Sequence, residues 1–253
     1  MSPRNYNGHR RPKVGIIMPA YNEGYTISNT IYEINDQIIK KLPGTRLLVF
    51  EDGSRDNTKE VLKELEKRYN WLEVHTGPER LGYPKAVKRA FASVSSTDYD
   101  YLFFTDSDGQ YYPTDFFKLL SIMQKGEVDM VVAQRINRAE PIYRRVLSKG
   151  LAIIERSLFN ISYSDVTSAF RIMDAEVGKR IAREVKFSKY NFWLEFTARA
   201  SMEDVKTACV SVNYRERKDG GTSKVYSLRR IPKIVANEFS ALIKTKMEGR
   251  ANK

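Results

Sequence analysis

Short, nearly continuous apolar runs alternate with amphipathic segments along the first half of the chain. The apolar runs have strand length and predict five strands, at residues 13–18, 46–50, 72–75, 101–105 and 128–133. Between these runs, apolar residues recur at helical spacing and predict helices at residues 26–41, 58–69 and 113–124, with a further helix opening at Pro84. Strands that alternate with helices in this way predict crossover units and a mainly parallel sheet.

The second half of the chain departs from this alternation. Its pattern predicts a long amphipathic helix at residues 143–159, a strand at 168–173, helices at 175–184 and 190–201, and a strand at 205–212. We find no convincing linker between the halves. We therefore predict an α/β protein with a basic arm at residues 1–12, one domain at 13–225 with two functional halves that meet at 135–136, and a basic amphipathic helix at 226–253.

The composition is that of a globular protein, with 42% apolar and 29% charged residues. No apolar run reaches the roughly 18 residues of a membrane-spanning helix, and the first 13 residues lack the apolar core of a secretory signal. The single cysteine, Cys209, excludes internal disulfides and zinc clusters, and its apolar neighbours predict a small buried side chain. We expect a cytoplasmic protein.

Positive charge is the main compositional bias. The net charge of +12 favours a polyanionic partner, which is nucleic acid, an anionic membrane surface or a phosphorylated substrate. The pattern contains no recognition element typical of a nucleic-acid-binding module, so we expect no nucleic-acid partner.

The last 30 residues carry eight Lys or Arg and two Glu, which is half of the excess charge. Apolar side chains at helical spacing accompany them, namely Leu228, Ile231, Ile234, Val235, Phe239, Leu242 and Ile243. Such a helix can lie in an anionic membrane surface. It can equally pack on the domain or across a homodimer, and residues 143–159 form a second candidate for membrane contact.

Two carboxylates, Asp106 and Asp108, stand one residue apart where the apolar run at 101–105 ends. Their mutual repulsion is removed by a hard cation between them, and oxygen ligands are what Mg²⁺ and Mn²⁺ prefer. A plain Asp- and Gly-rich turn is the alternative explanation.

Two further polar loops follow predicted strands, at residues 19–23 and 51–54. In a parallel sheet these loops and the Asp106 loop meet at the carboxyl edge, where ligands bind. The chain has neither the Gly-x-Gly-x-x-Gly nor the Gly-Lys-Ser/Thr phosphate loop, which argues against a dinucleotide fold and a P-loop ATPase. Asp52, together with Glu51, can instead accept hydrogen bonds from a base or ribose.

The motifs Pro19-Ala-Tyr-Asn-Glu23, Glu51-Asp-Gly-Ser-Arg-Asp56 and Asp106-Ser-Asp-Gly-Gln110-Tyr-Tyr-Pro113 occur in this order. With Arg135 and residues 165–171 they resemble family 2 inverting glycosyltransferases that carry a two-Asp metal motif. The resemblance covers residues 13–225 and is strongest to dolichyl-phosphate mannose synthases and related polyprenyl-phosphate glycosyltransferases. It implies a GT-A type fold, with residues 13–135 binding a nucleotide sugar and residues 136–225 binding the acceptor.

The resemblance also implies roles for individual residues. The residues implied in nucleotide-sugar binding are Pro19, Tyr21, Glu23, Glu51, Asp52, Lys85, Asp106, Ser107, Asp108 and Gln110. Asp106, Asp108 and Gln110 would surround Mg²⁺ or Mn²⁺ and the diphosphate. The family usually has Asp where this chain has Glu51, and Arg80-Leu-Gly-Tyr-Pro-Lys85 replaces its usual Asn-x-Gly-Lys-Gly segment.

Basic residues of the second half are candidates for holding an acceptor phosphate. These are Arg135, Arg171, Arg217 and Lys224, because Arg suits bidentate phosphate contacts and Lys supplies a point charge. The segment Arg215-Glu-Arg-Lys-Asp-Gly-Gly-Thr-Ser223-Lys224 resembles a family loop that closes over both phosphates. A lipid phosphate acceptor is already an anion and needs no general base, so the predicted catalytic residues are Asp108, Arg135, Arg217 and Lys224.

A hydroxyl acceptor requires a general base, and Glu195 is the candidate, with Phe192 and Trp193 beside it to stack on a sugar. The principal hypothesis is transfer of a hexose, mannose from GDP-mannose or glucose from UDP-glucose, to a polyprenyl or dolichyl phosphate at the cytoplasmic membrane face. The alternatives are transfer to a saccharide or lipid hydroxyl, and a non-enzymatic module that binds anionic surfaces.

Overall fold

The computed structural model describes residues 11–136, 142–216 and 230–251. Within these ranges, seven strands form a single sheet with the order β3-β2-β1-β4-β6-β5-β7. In chain order the strands are β1 (Val14–Ala20), β2 (Arg46–Glu51), β3 (Leu72–Thr76), β4 (Tyr101–Phe104), β5 (Met130–Ile136), β6 (Arg171–Asp174) and β7 (Thr207–Asn213). Only β6 runs antiparallel to its neighbours among these strands, which confirms the mainly parallel sheet.

Helices cover both faces of this sheet. In chain order they are α1 (Ile27–Ile34), α2 (Thr58–Arg68), α3 (Tyr83–Ser93), α4 (Phe116–Met123), α5 (Ile142–Phe159), α6 (Ala175–Glu184), α7 (Phe192–Met202) and α8 (Ile231–Ala251). A π-helical turn, Asn35–Ile39, extends α1, and a 3-10 turn, Pro113–Asp115, precedes α4. Since both faces are covered, β1 and β4 are buried at every position, which explains their continuous apolar sequence.

The two faces of the sheet carry separate apolar clusters. One cluster joins Phe91 of α3 to Phe192 and Trp193 of α7. The other joins Ile31 of α1 to Phe116 of α4. The helix boundaries follow local signals: the Asp174 carboxylate accepts the backbone N–H groups of Glu176 and Val177 at the start of α6.

The edge strand β7 corrects one expectation. Cys209, predicted to be a small buried side chain, is exposed there. Among the described residues β7 is an edge strand with β5 as its one neighbour, so its apolar sequence does not guarantee burial.

The C-terminal helix α8 packs on α5 and α7 through Ile234 and Leu242, while Phe239 and Met247 are exposed. It therefore belongs at least in part to the folded domain. No helix in the described residues is both long enough and apolar enough to cross a membrane.

Candidate active site

Three loops meet at the carboxyl edge of the sheet, one each after β1, β2 and β4. The parallel register brings them together, because β1 pairs with β2 on one side and with β4 on the other. The first two loops are joined by hydrogen bonds. The Asn22 N–H donates to Ser54 Oγ (2.9 Å), the Arg55 N–H donates to Asn22 Oδ1 (2.8 Å), and the Glu23 N–H donates to Thr58 Oγ1 (2.9 Å). These two loops therefore form one structural unit.

Asp52 anchors the segment that leads into α3. Its carboxylate accepts the N–H groups of Leu81 and Gly82, each at 2.9 Å. Gly53 has a φ of +70°, and a Cβ there would lie 2.6 Å from the Arg80 backbone nitrogen, so only glycine permits this approach. As a result the Arg80 guanidinium lies over the Tyr21 ring, 4.1 Å from its centroid. A direct contact of Asp52 with a nucleotide stays a prediction.

Glu51 is a buried carboxylate at the end of β2. Its carboxylate is fully buried, accepts the Ser54 N–H and lies 3.9 Å from Lys59 Nζ. One carboxylate oxygen of Glu51 thus closes its own turn, while Oε2 has no hydrogen-bond partner in the described residues, so the nucleotide contact of Glu51 stays a prediction. Glu23 is also largely buried and accepts a hydrogen bond from Thr26 Oγ1 (2.8 Å). Pro19 is buried in β1.

The loop after β4 presents its two carboxylates on one side. Asp106 and Asp108 are partly exposed, whereas Ser107 between them and Gly109 after them are buried. Ser107 faces the protein, where its carbonyl accepts a hydrogen bond from Thr30 Oγ1 (3.1 Å). Asp108 Oδ1 also accepts the Gln110 N–H (3.1 Å), a contact that supports the turn itself.

The carboxylate pair suits a hard cation that is shared with a substrate. No group of three or more His, Cys, Asp or Glu in the described residues is arranged to hold a metal. Mg²⁺ is commonly held by one or two carboxylates together with substrate phosphates and water, so two carboxylates are sufficient. Asp106 and Asp108 fit this pattern.

Gln110 is bonded to the chain that follows β7. Its Oε1 accepts from the Tyr214 hydroxyl (2.9 Å) and its Nε2 donates to the Arg215 carbonyl (3.1 Å). Both ends of the amide therefore tie the carboxylate loop to the chain after β7, and a contact of Gln110 with a metal stays a prediction. Residues Tyr111 and Tyr214 form a β-bridge at the same junction.

A hydroxyl that the sequence pattern did not single out contacts the first carboxylate. Tyr83, at the start of α3, donates to Asp106 Oδ1 (3.2 Å) and accepts from Trp193 Nε1 (2.9 Å). Burial, and next the charge of Asp106, raise the pKa of Tyr83 well above its ordinary value, so the phenol keeps its proton. Tyr83 lies in the segment where this chain departs from the usual family motif, and that departure was the available signal.

Arg135 is held by an ion pair. Its Nε and Nη2 donate to the two carboxylate oxygens of Asp165, each at 2.8 Å, and its guanidinium lies 5.2 Å from the centroid of the Tyr214 ring. The neighbouring Tyr111 is buried, and this burial raises its pKa to about 12. Arg135 thus lies at the carboxyl end of β5 with its charge balanced, and its contact with an acceptor phosphate stays a prediction.

Two predicted site residues lie in the interior instead. Arg171 is fully buried, where it donates to the Ser168 carbonyl (2.9 Å) and to Thr197 Oγ1 (3.3 Å) and stacks 4.1 Å over the Trp193 ring. Its side chain satisfies the backbone beneath the site, so the structure contradicts the predicted contact with an acceptor phosphate.

Glu195 is fully buried as well. It accepts the N–H groups of Lys186 (2.8 Å), Phe187 (2.6 Å) and Ser188 (2.7 Å), and it pairs with Arg199. A carboxylate used in this way cannot reach a substrate hydroxyl, so its prediction as a general base is wrong. Phe192 and Trp193 are buried too and do not form a sugar platform.

The remaining predicted residues have different positions. Lys85 is exposed in the first turn of α3. Arg217, Ser223 and Lys224 lie outside the described residues.

The sheet order, the helical layers and the carboxylate loop at the strand ends define a GT-A type α/β fold. A structure with this fold is glucosyl-3-phosphoglycerate synthase from Mycobacterium tuberculosis, described in complex with Mn²⁺, UDP-glucose and phosphoglyceric acid. The TM-score is 0.66 at 18% identity, over 93% of this chain and 80% of that one.

Residues 15–181 match the family described as glycosyl transferase family 2, so the chain belongs to this family and is a glycosyltransferase. It is 26% identical over 212 residues to polyprenol monophosphomannose synthase from Mycolicibacterium smegmatis, covering 81% of this chain and 78% of the relative. It is 24% identical over 213 residues to glycosyltransferase AglD from Haloferax volcanii, covering 82% of this chain and 34% of that protein.

Proposed function

We propose that this glycosyltransferase moves a hexose from a nucleoside diphosphate sugar to a polyprenyl phosphate, with inversion and with Mg²⁺ or Mn²⁺. GDP-mannose is the favoured donor, which would transfer mannose, and UDP-glucose, which would transfer glucose, is the second. The observation that carries the proposal is a contrast between carboxylates. Asp106 and Asp108 are presented together at the carboxyl edge, whereas Glu195, the candidate base, is buried.

The donor half, residues 13–135, supplies the parts that a nucleotide sugar needs. Tyr21 and the Asp52-anchored segment form one side of the site, and Asp106 and Asp108 form the other. A divalent cation, when bound, neutralises the charge that develops on the leaving diphosphate. The two Asp side chains would hold this cation. Lys85 is exposed in the first turn of α3, close in sequence to Tyr83, and would add positive charge.

An acceptor that is already an anion needs no general base. The full burial of Glu195, the candidate base, agrees with such an acceptor. A phosphate monoester attacks through its own oxygen, so the protein needs only to bring the acceptor phosphate and the donor diphosphate together. Arg135, with Arg217, Ser223 and Lys224 of the acceptor half, is the proposed group for this task. The relative from Mycolicibacterium smegmatis, whose name describes a polyprenol monophosphomannose synthase, supports the lipid phosphate.

Peripheral contact with the cytoplasmic membrane face is the proposed location. Ile153 of α5 and Met247 of α8 are 64% and 65% exposed, and Phe239 of α8 is 43% exposed. Lys233 and Lys244 of α8 are also exposed, so apolar and basic side chains share this surface. Both kinds of side chain are needed for binding to anionic lipid. A homodimer through α8 is the competing explanation.

A transfer assay tests the proposal with the full chain, Mn²⁺ or EDTA, and GDP-mannose or UDP-glucose as donor. The acceptors are a polyprenyl phosphate, the matching polyprenol and 3-phosphoglycerate. We expect metal-dependent glycosyl transfer to the polyprenyl phosphate alone. Equal transfer to the polyprenol, or transfer only to 3-phosphoglycerate, would overturn the lipid phosphate.

Thermal-shift measurements with GDP and UDP in the presence of Mn²⁺ identify the donor class, because the tighter nucleotide stabilises the folded state more. Flotation with vesicles that contain or lack anionic lipid tests the membrane contact. Sedimentation without lipid distinguishes this contact from a dimer.

A further inference from the structure

Tyr83 connects the core of the acceptor half to the carboxylate loop of the donor half. The indole N–H of Trp193 can only donate a hydrogen bond, so the Tyr83 oxygen must accept it at 2.9 Å. An ionised carboxylate can only accept, so the Tyr83 hydroxyl proton points to Asp106 Oδ1, at 3.2 Å. The direction of both hydrogen bonds is therefore determined by the chemistry of the three groups.

Both supports of this hydroxyl are rigid. Trp193 is 1% exposed and packs edge-on against Phe104 and Phe91, with the Arg171 guanidinium on its ring face. The indole cannot turn without disturbing this packing.

The backbone of Tyr83 is held as well. Gly82, with a φ of +84°, donates its N–H to Asp52, and α3 begins at the next residue. The hydroxyl therefore occupies a defined point beside the carboxylate loop, while Asp106 lies just before a bend at residues 107–109.

We propose that Tyr83 is a positioning residue: its hydroxyl orients the Asp106 carboxylate toward a divalent cation that binds together with the donor diphosphate. The inference rests on the proposed function, since it concerns the same metal. It assigns to the Tyr83 hydroxyl the task that outer groups perform at metal sites, which is to restrict the rotation of a ligand. Loss of such a group typically weakens metal affinity by about 10- to 100-fold.

The test is Tyr83→Phe, which removes the hydroxyl and keeps the ring. Tyr99→Phe is the matched control, because Tyr99 is also partly buried against the same apolar cluster and is not bonded to the carboxylate loop. Mn²⁺ is titrated into each full-chain protein with saturating GDP and, separately, UDP, and bound Mn²⁺ is measured by electron paramagnetic resonance. We expect about a 10-fold weaker Mn²⁺ affinity for Tyr83→Phe and no change for Tyr99→Phe.

Turnover separates positioning from a structural role. In Tyr83→Phe, excess Mn²⁺ should restore most of kcat, and the melting temperature should stay close to that of Tyr99→Phe. Trp193→Phe, which removes the donor to Tyr83, should weaken Mn²⁺ binding in the same direction. An unchanged Mn²⁺ affinity in Tyr83→Phe overturns the inference alone. If the wild-type protein binds no Mn²⁺ in the presence of GDP or of UDP, the proposed function and the inference are both overturned.

Discussion

The carboxylates that follow β4 and those beneath residues 186–190 have opposite environments. In the donor half, Asp106 and Asp108 are partly exposed at the end of β4, on a loop that faces away from the core. In the acceptor half Glu195 is buried, and together with the buried Glu238 of α8 it holds the segment at residues 186–190. Glu195 takes three backbone N–H groups there, and Glu238 takes those of Lys189 (3.1 Å) and Tyr190 (2.8 Å).

The difference shows that an acidic side chain near a substrate-binding region is not by itself a catalytic group. A buried carboxylate that accepts several N–H groups stabilises a loop, because each bond replaces one that the backbone would make to water. Glu238 also makes α8 part of the domain, since its carboxylate lies beneath the loop that precedes α7. We expect the partly exposed carboxylates to affect chemistry and the buried ones to affect folding. Three substitutions of acidic residues test this division, and Gly53→Ala tests the contact between the Asp52 loop and Arg80.

Asp108→Asn should have the largest effect. The amide oxygen can still accept the Gln110 N–H, so the loop should keep its shape, but one charge is lost at the cation. We expect turnover with Mn²⁺ to fall by about 10³-fold, a loss typical of removing one electrostatic group from a catalytic site. Steady-state kinetics checks this, with the exposed Asp98→Asn as control. Activity near the wild-type value would remove Asp108 from the metal site.

Glu195→Gln should affect folding more than chemistry. It breaks a buried ion pair with Arg199 and weakens three backbone hydrogen bonds, at a cost of about 3 kcal/mol in the free energy of unfolding. For a chain of this size that corresponds to a melting temperature lower by roughly 10 °C. The control is Glu203→Gln, which breaks an exposed ion pair with Arg180 and should cost under about 1 kcal/mol.

Thermal denaturation and kinetics of Glu195→Gln together decide between the two tasks. An unchanged melting temperature with abolished turnover would restore Glu195 as a base and remove the contrast between the two halves.

Gly53→Ala should have a smaller effect that combines folding with donor binding. The φ of +70° disfavours alanine, and the added Cβ would meet the backbone of Glu79 and Arg80, so we expect a loss of about 2 kcal/mol. Gly44→Ala is the matched control, because Gly44 has a φ of +93° but open space around its Cβ position.

Chemical denaturation of both glycine variants separates backbone strain from the clash, and nucleotide titration measures the effect on the site. Equal losses in stability and affinity for the two variants would show that the contact between the Asp52 loop and Arg80 is unimportant.

Glu155→Gln should have the smallest effect, and the effect should depend on pH. Neither carboxylate oxygen of Glu155 has a hydrogen-bond partner in the described residues. Burial raises the pKa of Glu155 well above its ordinary value of 4.5; the charge of Arg171 opposes this rise and that of Glu238 adds to it. The stability contribution of the neutral acid is therefore present below pH 4.5 and is lost as pH rises toward the folded pKa.

Since glutamine has no proton to lose, Glu155→Gln should be more stable than the wild type by about 1 kcal/mol at pH 7.5, and should gain less at pH 4.5. Denaturation at both pH values checks this, with the exposed Glu127→Gln as control. Destabilisation at pH 7.5 would show instead that Glu155 is ionised and balances the buried charge of Arg171.

The pattern of apolar and polar residues was sufficient for the fold. Buried strands such as β1 and β4 have continuous apolar sequences, and α3 begins near the proline that predicted it. The loops after β1, β2 and β4 could be placed together because parallel strands all point the same way. The position of Asp106 and Asp108 on one side of their loop agrees with their spacing of two residues, which in an extended segment puts both on the same face.

The sequence alone determined the mainly parallel α/β class, because the apolar periodicity is a local property. Its motifs at residues 19–23, 51–56 and 106–113 indicated the family and predict the edge of the sheet where the chemistry occurs. Which charged residues face that edge was decided only by tertiary structure. Arg171 and Glu195 have the residue types of a phosphate contact and a base, yet both are fully buried and bonded to backbone groups three to nine residues away in the sequence. Tyr83 has an ordinary residue type and meets Asp106 because α3 and α7 pack together. Burial and partners depend on long-range contacts, and these are absent from any short stretch of sequence.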